Sequence, residues 1–198
     1  MNYFSLSLLL TTTAILAQLS PPSIAAMVPQ LNSKSVIPAT QLLVQEVNEF
    51  DYWFDRCYEL TGEEALEACD NAIAINPNDA SVWYNRGTLL MTELERYEDA
   101  VGSFDNALEI NPQDLAAWDN RGVALGQLGR YEDALTSHDR ALEIDDQQAR
   151  VWQNRGVTMF LLQRYEEALT AFERAIELDP NYEQAQRNRD LVREQLGR

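Results

Sequence analysis

Few residues in this chain have types that could do chemistry. There is one histidine, His138, and there are two cysteines, Cys57 and Cys69. A histidine acting as general base needs a hydroxyl, thiol or bound water to act on, held within hydrogen-bond reach. No nucleophile elbow, Gly-rich phosphate loop or metal-spaced His or Cys cluster accompanies it. His138 falls in the stripe Ala134, Leu135, His138, Ala141, Leu142, which has helical spacing, so it reads as a core or half-buried residue rather than a catalytic one. No catalytic residue, metal site or cofactor is expected, and the chain does not read as an enzyme.

The remaining polar residues of interest come in series. Asn85, Asn120 and Asn154 each precede an arginine and a glycine, and Arg86, Arg121, Arg155 and Arg189 are spaced by 35, 34 and 34. The arginines read as a ladder of ion pairs to acids on neighbouring helices, with ligand binding as the other reading. Paired acids, Glu98-Asp99, Glu132-Asp133 and Glu166-Glu167, recur with the same period. They fall in the first turn of a helix, where negative charge complements the helix dipole.

The elements that must position these residues are themselves periodic. Trp118, Gly122, Tyr131, Ala134 and Ala141 return 34 residues later as Trp152, Gly156, Tyr165, Ala168 and Ala175, and earlier as Trp83, Gly87, Tyr97, Ala100 and Ala107. Trp118, Gly122, Leu125 and Leu128 share one helical face, and the stripe through His138 forms a second helix. Gly129 supplies a left-handed stop between them, and Asn-Pro at 76–77 and 111–112 ends the second helix. Glycine inside a helix is less favourable than alanine by about 0.5–1 kcal/mol. Its return at 87, 122 and 156 predicts that the backbone of the paired helix passes too close for a side chain.

With Trp, Gly, Ala, aromatic, Ala and Pro at these spacings, the pattern resembles the tetratricopeptide repeat. The resemblance covers residues 80–112, 113–146 and 147–180. It implies an all-α, right-handed solenoid of stacked antiparallel helix pairs. The second unit departs from the pattern, with Asp145-Asp146 in place of Asp-Pro and with His138 where its neighbours have Phe104 and Phe172. Residues 41–79 read as a degenerate first hairpin, whose helices run from near Thr40 to Tyr58 or Leu60 and from a Thr61/Glu64 capping box to Pro77. Residues 181–198 read as a polar capping helix with Leu191, Val192 and Leu196 turned inward.

The net charge is −17, with Lys34 the only lysine. Nucleic acid is not an expected partner, because phosphate binding needs a basic face. The missing lysines also argue against the carboxylate clamp associated with this repeat family, for which only the Asn position is present. Residues 41–79 hold ten acids against Arg56 alone, so an acidic front faces any basic partner.

Residues 1–25 read as an export signal, with an apolar run from Phe4 to Leu19, then Pro21-Pro22, then small residues at Ser23 and Ala25. The alternative is an uncleaved membrane anchor. Residues 26–40 read as a flexible linker. In an oxidising compartment Cys57 and Cys69 would form a disulfide, the alternative being two buried thiols.

Carried over position by position, the resemblance implies that first helices line a concave groove. That groove would present Tyr84, Asn85 and Thr88, then Asp119, Asn120 and Val123, then Gln153, Asn154, Val157 and Phe160. The asparagines are expected to stand exposed, free to pair with a bound backbone. Phe160 either contributes to the groove or packs under the capping helix. The resulting reading is a non-enzymatic scaffold outside the cytoplasm, holding a neutral or basic peptide or protein segment. Self-association between the acidic first unit and the more basic tail is the second reading.

Overall fold

A computed structural model describes residues 48–197. The export-signal and linker expectations, and the expected helix start near Thr40, lie outside the described residues. The chain divides into Met1–Tyr52 and Trp53–Arg198. Only residues 48–52 of the first unit are described, and the periodic repeats lie wholly within the second.

Among the described residues the structure is wholly helical. Helices α1 (Glu49–Glu59) and α2 (Gly62–Ile75) form the first hairpin, followed by α3 (Ala80–Thr92) with α4 (Tyr97–Ile110) and α5 (Leu115–Gln127) with α6 (Tyr131–Ile144). Then come α7 (Ala149–Leu161) with α8 (Tyr165–Leu178), and α9 (Glu183–Gln195) closes the series. The three periodic units thus each hold one antiparallel pair, the architecture the period predicts. No described helix is long and apolar enough to cross a membrane.

Local chemistry sets the helix ends. Asp79 and Asp114 cap α3 and α5 by accepting from Ser81 and Ala117 amides, satisfying donors that have no intrahelical partner. The turn before each second helix needs a left-handed residue, supplied by Gly129 at φ 74° but by Glu95 and Gln163 in the flanking units. The additional residue of the first periodic unit lies in its turn, where 93–96 replaces the three-residue 128–130. The Thr61/Glu64 capping box does not form. Thr61 makes no side-chain cap bond, and the amide of Gly62 donates instead to Glu93 Oε2 at 2.8 Å.

Each unit's core is built from small residues where helices cross and one ring that fills the crossing. Ala100, Ala134 and Ala168 are sealed, as are Ala107, Ala141 and Ala175. The recurrent glycines meet the ring of the paired helix, not its backbone. A Cβ on Gly87, Gly122 or Gly156 would stand 2.8, 2.5 or 2.6 Å from Cε1 of Phe104, His138 or Phe172. The glycine therefore makes room for an aromatic side chain on the following helix, which a one-helix reading could not see.

The tryptophans anchor each unit to the loop before it. Trp83 and Trp118 Nε1 donate to the carbonyls of Pro77 and Pro112, and Trp152 Nε1 donates to that of Asp146. Where tryptophan becomes Gln186, its amide donates to the Pro180 carbonyl at 2.7 Å, keeping the bond. The arginines form the expected ladder, Arg86 to Asp70, Arg121 to Asp105 and Arg155 to Asp139, at 2.6–2.7 Å. The fourth rung is rearranged. Arg189 pairs with Asp190, and Glu173, which stands where the ladder has aspartate, is taken by Arg193.

In the first hairpin the sulfurs of Cys57 and Cys69 are bonded, with Cα atoms 4.6 Å apart, joining α1 to α2. At the other end Val192 is sealed and Leu196 packs on the α8 core. Leu191, expected to face inward, is 44% exposed.

Candidate functional site

First helices of neighbouring units touch one another, α3 with α5, α5 with α7 and α7 with α9, so they share an inner face. Two consecutive positions on that face, directly after the tryptophan position, carry the polar chemistry. The second of them is the asparagine series. Asn120 Nδ2 donates to Tyr84 Oη at 3.1 Å, Asn154 Nδ2 to Asp119 Oδ1 at 3.1 Å and Oδ2 at 3.2 Å, and Asn188 Nδ2 to Gln153 Oε1 at 3.1 Å. Each amide reaches the preceding unit's residue at the first position.

This corrects the expectation that the asparagines stand free. Asn120 is 6% exposed, and Asn154 is committed to Asp119. They tie unit to unit. Asp119 and Gln153, assigned to the groove lining, are 0% and 2% exposed.

Asp119 is the centre of a buried polar cluster. His138 Nδ1 lies 3.0 Å from its Oδ1, and Arg150 Nη2 forms an ion pair with its Oδ2 at 3.1 Å. Burial pushes the Asp119 carboxyl pKa up, but the hydrogen bond from His138 and the positive charge of its protonated ring, with the hydrogen bond from Asn154 and the nearby Arg150 guanidinium, outweigh it and hold the group below the ordinary aspartate value. Buried charge is tolerable only when paired in this way.

Over this cluster opens a pocket of about 380 Å³. Val123 and Gln127 of α5 and Gln153, Asn154, Val157 and Thr158 of α7 form its walls, Tyr131 and His138 of α6 contribute from beneath, and Gln184 of α9 from the end. Of the residues assigned from sequence, Val123, Gln153, Asn154 and Val157 come together here. Tyr84, Asn85, Thr88, Asp119 and Asn120 are not among its lining. Phe160 lines a smaller apolar pocket with Phe172, Asn188 and Leu191 and packs on the α8 core. Sequence reasoning missed His138 as a lining residue and Arg150 as part of the cluster. A partial signal was present: unit two departs at His138 from the phenylalanine that both neighbours hold, whereas the position of Asp119 differs in every unit.

Comparison with known proteins fits this architecture. The tetratricopeptide repeat family matches residues 80–114 and 113–181, and the protein prenyltransferase alpha subunit repeat matches residues 63–93. Residues 80–181 are therefore tetratricopeptide repeats. No curated protein matches the sequence. Among solved structures, a crystal structure of MamA is 17% identical, with a TM-score of 0.66 over 82% of this chain and 87% of that one. MamA 41-end from Desulfovibrio magneticus RS-1 is 21% identical, with a TM-score of 0.66 over 82% and 88%. The first TPR of Spaghetti (RPAP3), bound to an HSP90 peptide SRMEEVD, is 24% identical, with a TM-score of 0.58 over 60% and 94%.

Proposed function

We propose that this protein is a non-enzymatic scaffold that binds a peptide or protein segment on the inner face of its second and third repeats, outside the cytoplasm. The observation that carries the reading is the pocket of about 380 Å³ between α5 and α7, within the size range of ligand sites. Apart from His138, its lining holds no titratable side chain other than Tyr131, which suits a neutral segment. The chain's net charge of −17 favours a neutral or basic partner over an acidic one. A structural neighbour that holds a peptide, the RPAP3 repeat domain, supports the use of this fold for such binding. The export pattern of residues 1–25 and the joined cysteines support an oxidising compartment.

Gly126 offers a direct test. It lines the pocket, and a Cβ built on it meets nothing within 4 Å. Gly126→Leu would fill the pocket while improving the helix propensity of α5. Partners are first identified by crosslinking in the native cell. The expected result is loss of the crosslinked partner by Gly126→Leu with melting temperature unchanged or raised, whereas a partner retained at full yield removes the pocket from the binding face. A mature mass starting near Ala26 is expected, and an intact Met1 in the cytoplasm would end the export reading.

Self-association is the second reading, supported by the charge difference between residues 41–79, with ten acids against Arg56 alone, and residues 181–198, where four arginines stand against three acids. Light scattering against ionic strength separates the two, since only oligomers joined by charge dissociate as salt rises.

A further inference from the structure

The pocket contains two polar atoms with unused bonding capacity, both on side chains that are almost wholly buried. His138 is 1% exposed and Gln153 is 2% exposed. His138 Nδ1 faces Asp119, and Gln153 Oε1 accepts from Asn188. Neither His138 Nε2 nor Gln153 Nε2 has a partner among the described residues. Thr88 Oγ1 is the one side-chain polar atom there that is both sealed and unpartnered. The two Nε2 atoms must therefore retain access to solvent, and the pocket is the opening that both residues line.

Their bonding roles follow from their partners. An ionised carboxylate only accepts, so Asp119 requires the proton to sit on Nδ1 of His138, and in the neutral ring this leaves Nε2 as an acceptor. Gln153, with its oxygen used, presents N–H donors. The pocket floor thus offers one acceptor and one donor, with further amides at Gln127 and Gln184 on its walls. A group with one donor and one acceptor, uncharged, is the complement. A buried cation would lack a free carboxylate here and a carboxylate would meet the Nε2 lone pair, each an uncompensated desolvation.

We propose that the pocket holds an uncharged amide of the bound segment, an Asn or Gln side chain, whose N–H is donated to His138 Nε2 and whose carbonyl accepts from Gln153 Nε2. This rests on the groove-binding reading above and goes further by naming the group recognised.

His138 is the only histidine in the chain, so its ring nitrogens give an unambiguous signal in ¹⁵N-labelled protein. In its neutral form the ring should carry its proton on Nδ1. Titration with N-acetylglutamine N-methylamide should move Nε2 saturably, and the glutamate and lysine analogues should not. In the double variant Asp119→Tyr/His138→Phe, which restores the residue types found at Tyr84 and Phe104, the protein should fold. The Gln153 side-chain amide should then respond to the probe about tenfold more weakly, a factor equal to about 1.4 kcal/mol. A proton on Nε2, or an Nε2 signal that is unmoved up to the solubility of the glutamine probe, overturns the proposal, as does an equal response to the lysine analogue. If Gly126→Leu releases the native partner while Nε2 stays silent, the groove reading stands and the amide assignment alone fails.

Discussion

The first and second periodic units use the same two positions for opposite kinds of contact. In the first, the rings of Tyr84 and Phe104 pack with centroids 6.1 Å apart. In the second, Asp119 and His138 occupy those positions and share a hydrogen bond of 3.0 Å. Both second-helix rings stand against a glycine, Gly87 or Gly122, and both are sealed, so the frame is indifferent to which pair it holds. Its chemistry is not indifferent. The aromatic pair gains by packing, and its one polar atom, Tyr84 Oη, is taken by Asn120, whereas the polar pair is supported in its burial by Asn154 and Arg150.

The contrast between the units breaks most severely if the polar pair loses one member. Asp119→Ala should strand His138 Nδ1 and the Asn154 amide, and removing one partner of a buried pair destabilises by about 3–5 kcal/mol. Denaturant midpoints measure this, and Asp119→Tyr/His138→Phe should recover most of the loss. A single variant within about 1 kcal/mol of the parent, the value of an exposed pair, would show that the cluster contributes no more than a surface contact.

Acid should weaken unit two in the same way. The folded Asp119 carboxyl titrates below its ordinary value, so its stabilisation is fully present above the unfolded value, about 3.9. That stabilisation is lost as pH falls through the folded value, because protonation then favours the unfolded chain. Stability should therefore drop below about pH 4 more steeply in the parent than in Asp119→Asn, and parallel curves would count against the assignment.

A smaller effect sharpens the contrast between two glycines of α5. Gly122→Ala places a Cβ 2.5 Å from His138 Cε1, and overpacking of this kind destabilises by about 1–3 kcal/mol. Gly126→Ala meets nothing and should stabilise by about 0.5–1 kcal/mol through helix propensity. Thermal denaturation of the pair would refute the close-approach account if both moved the same way. Smallest of all should be Arg121→Gln, whose partner Asp105 is half exposed. Exposed pairs contribute about 0–1 kcal/mol, so a larger loss in chemical denaturation would mean that its bond to Ser137 carries the difference.

The period of 34, the tryptophans, the glycines and the closing prolines were legible in the amino-acid sequence because each reports a constraint within one or two adjacent helices. Helical spacing, propensity and termination are local properties, and repetition multiplied their signal. The arginine ladder was legible for the same reason, since each rung joins consecutive helices. What lies between units was not. Asn120 and Asn154 looked free because their acceptors, Tyr84 and Asp119, lie 36 and 35 residues back. Their identities also change from unit to unit, so no motif repeats. The inward turn of Leu191 failed likewise, as a helix with one covered side has room to expose a leucine that its spacing alone cannot place. The meeting of Asp119, His138, Asn154 and Arg150 on one carboxylate was decided by tertiary packing alone, because hydrogen bonding depends on distances of about 3 Å that only the stacking of α5, α6 and α7 determines.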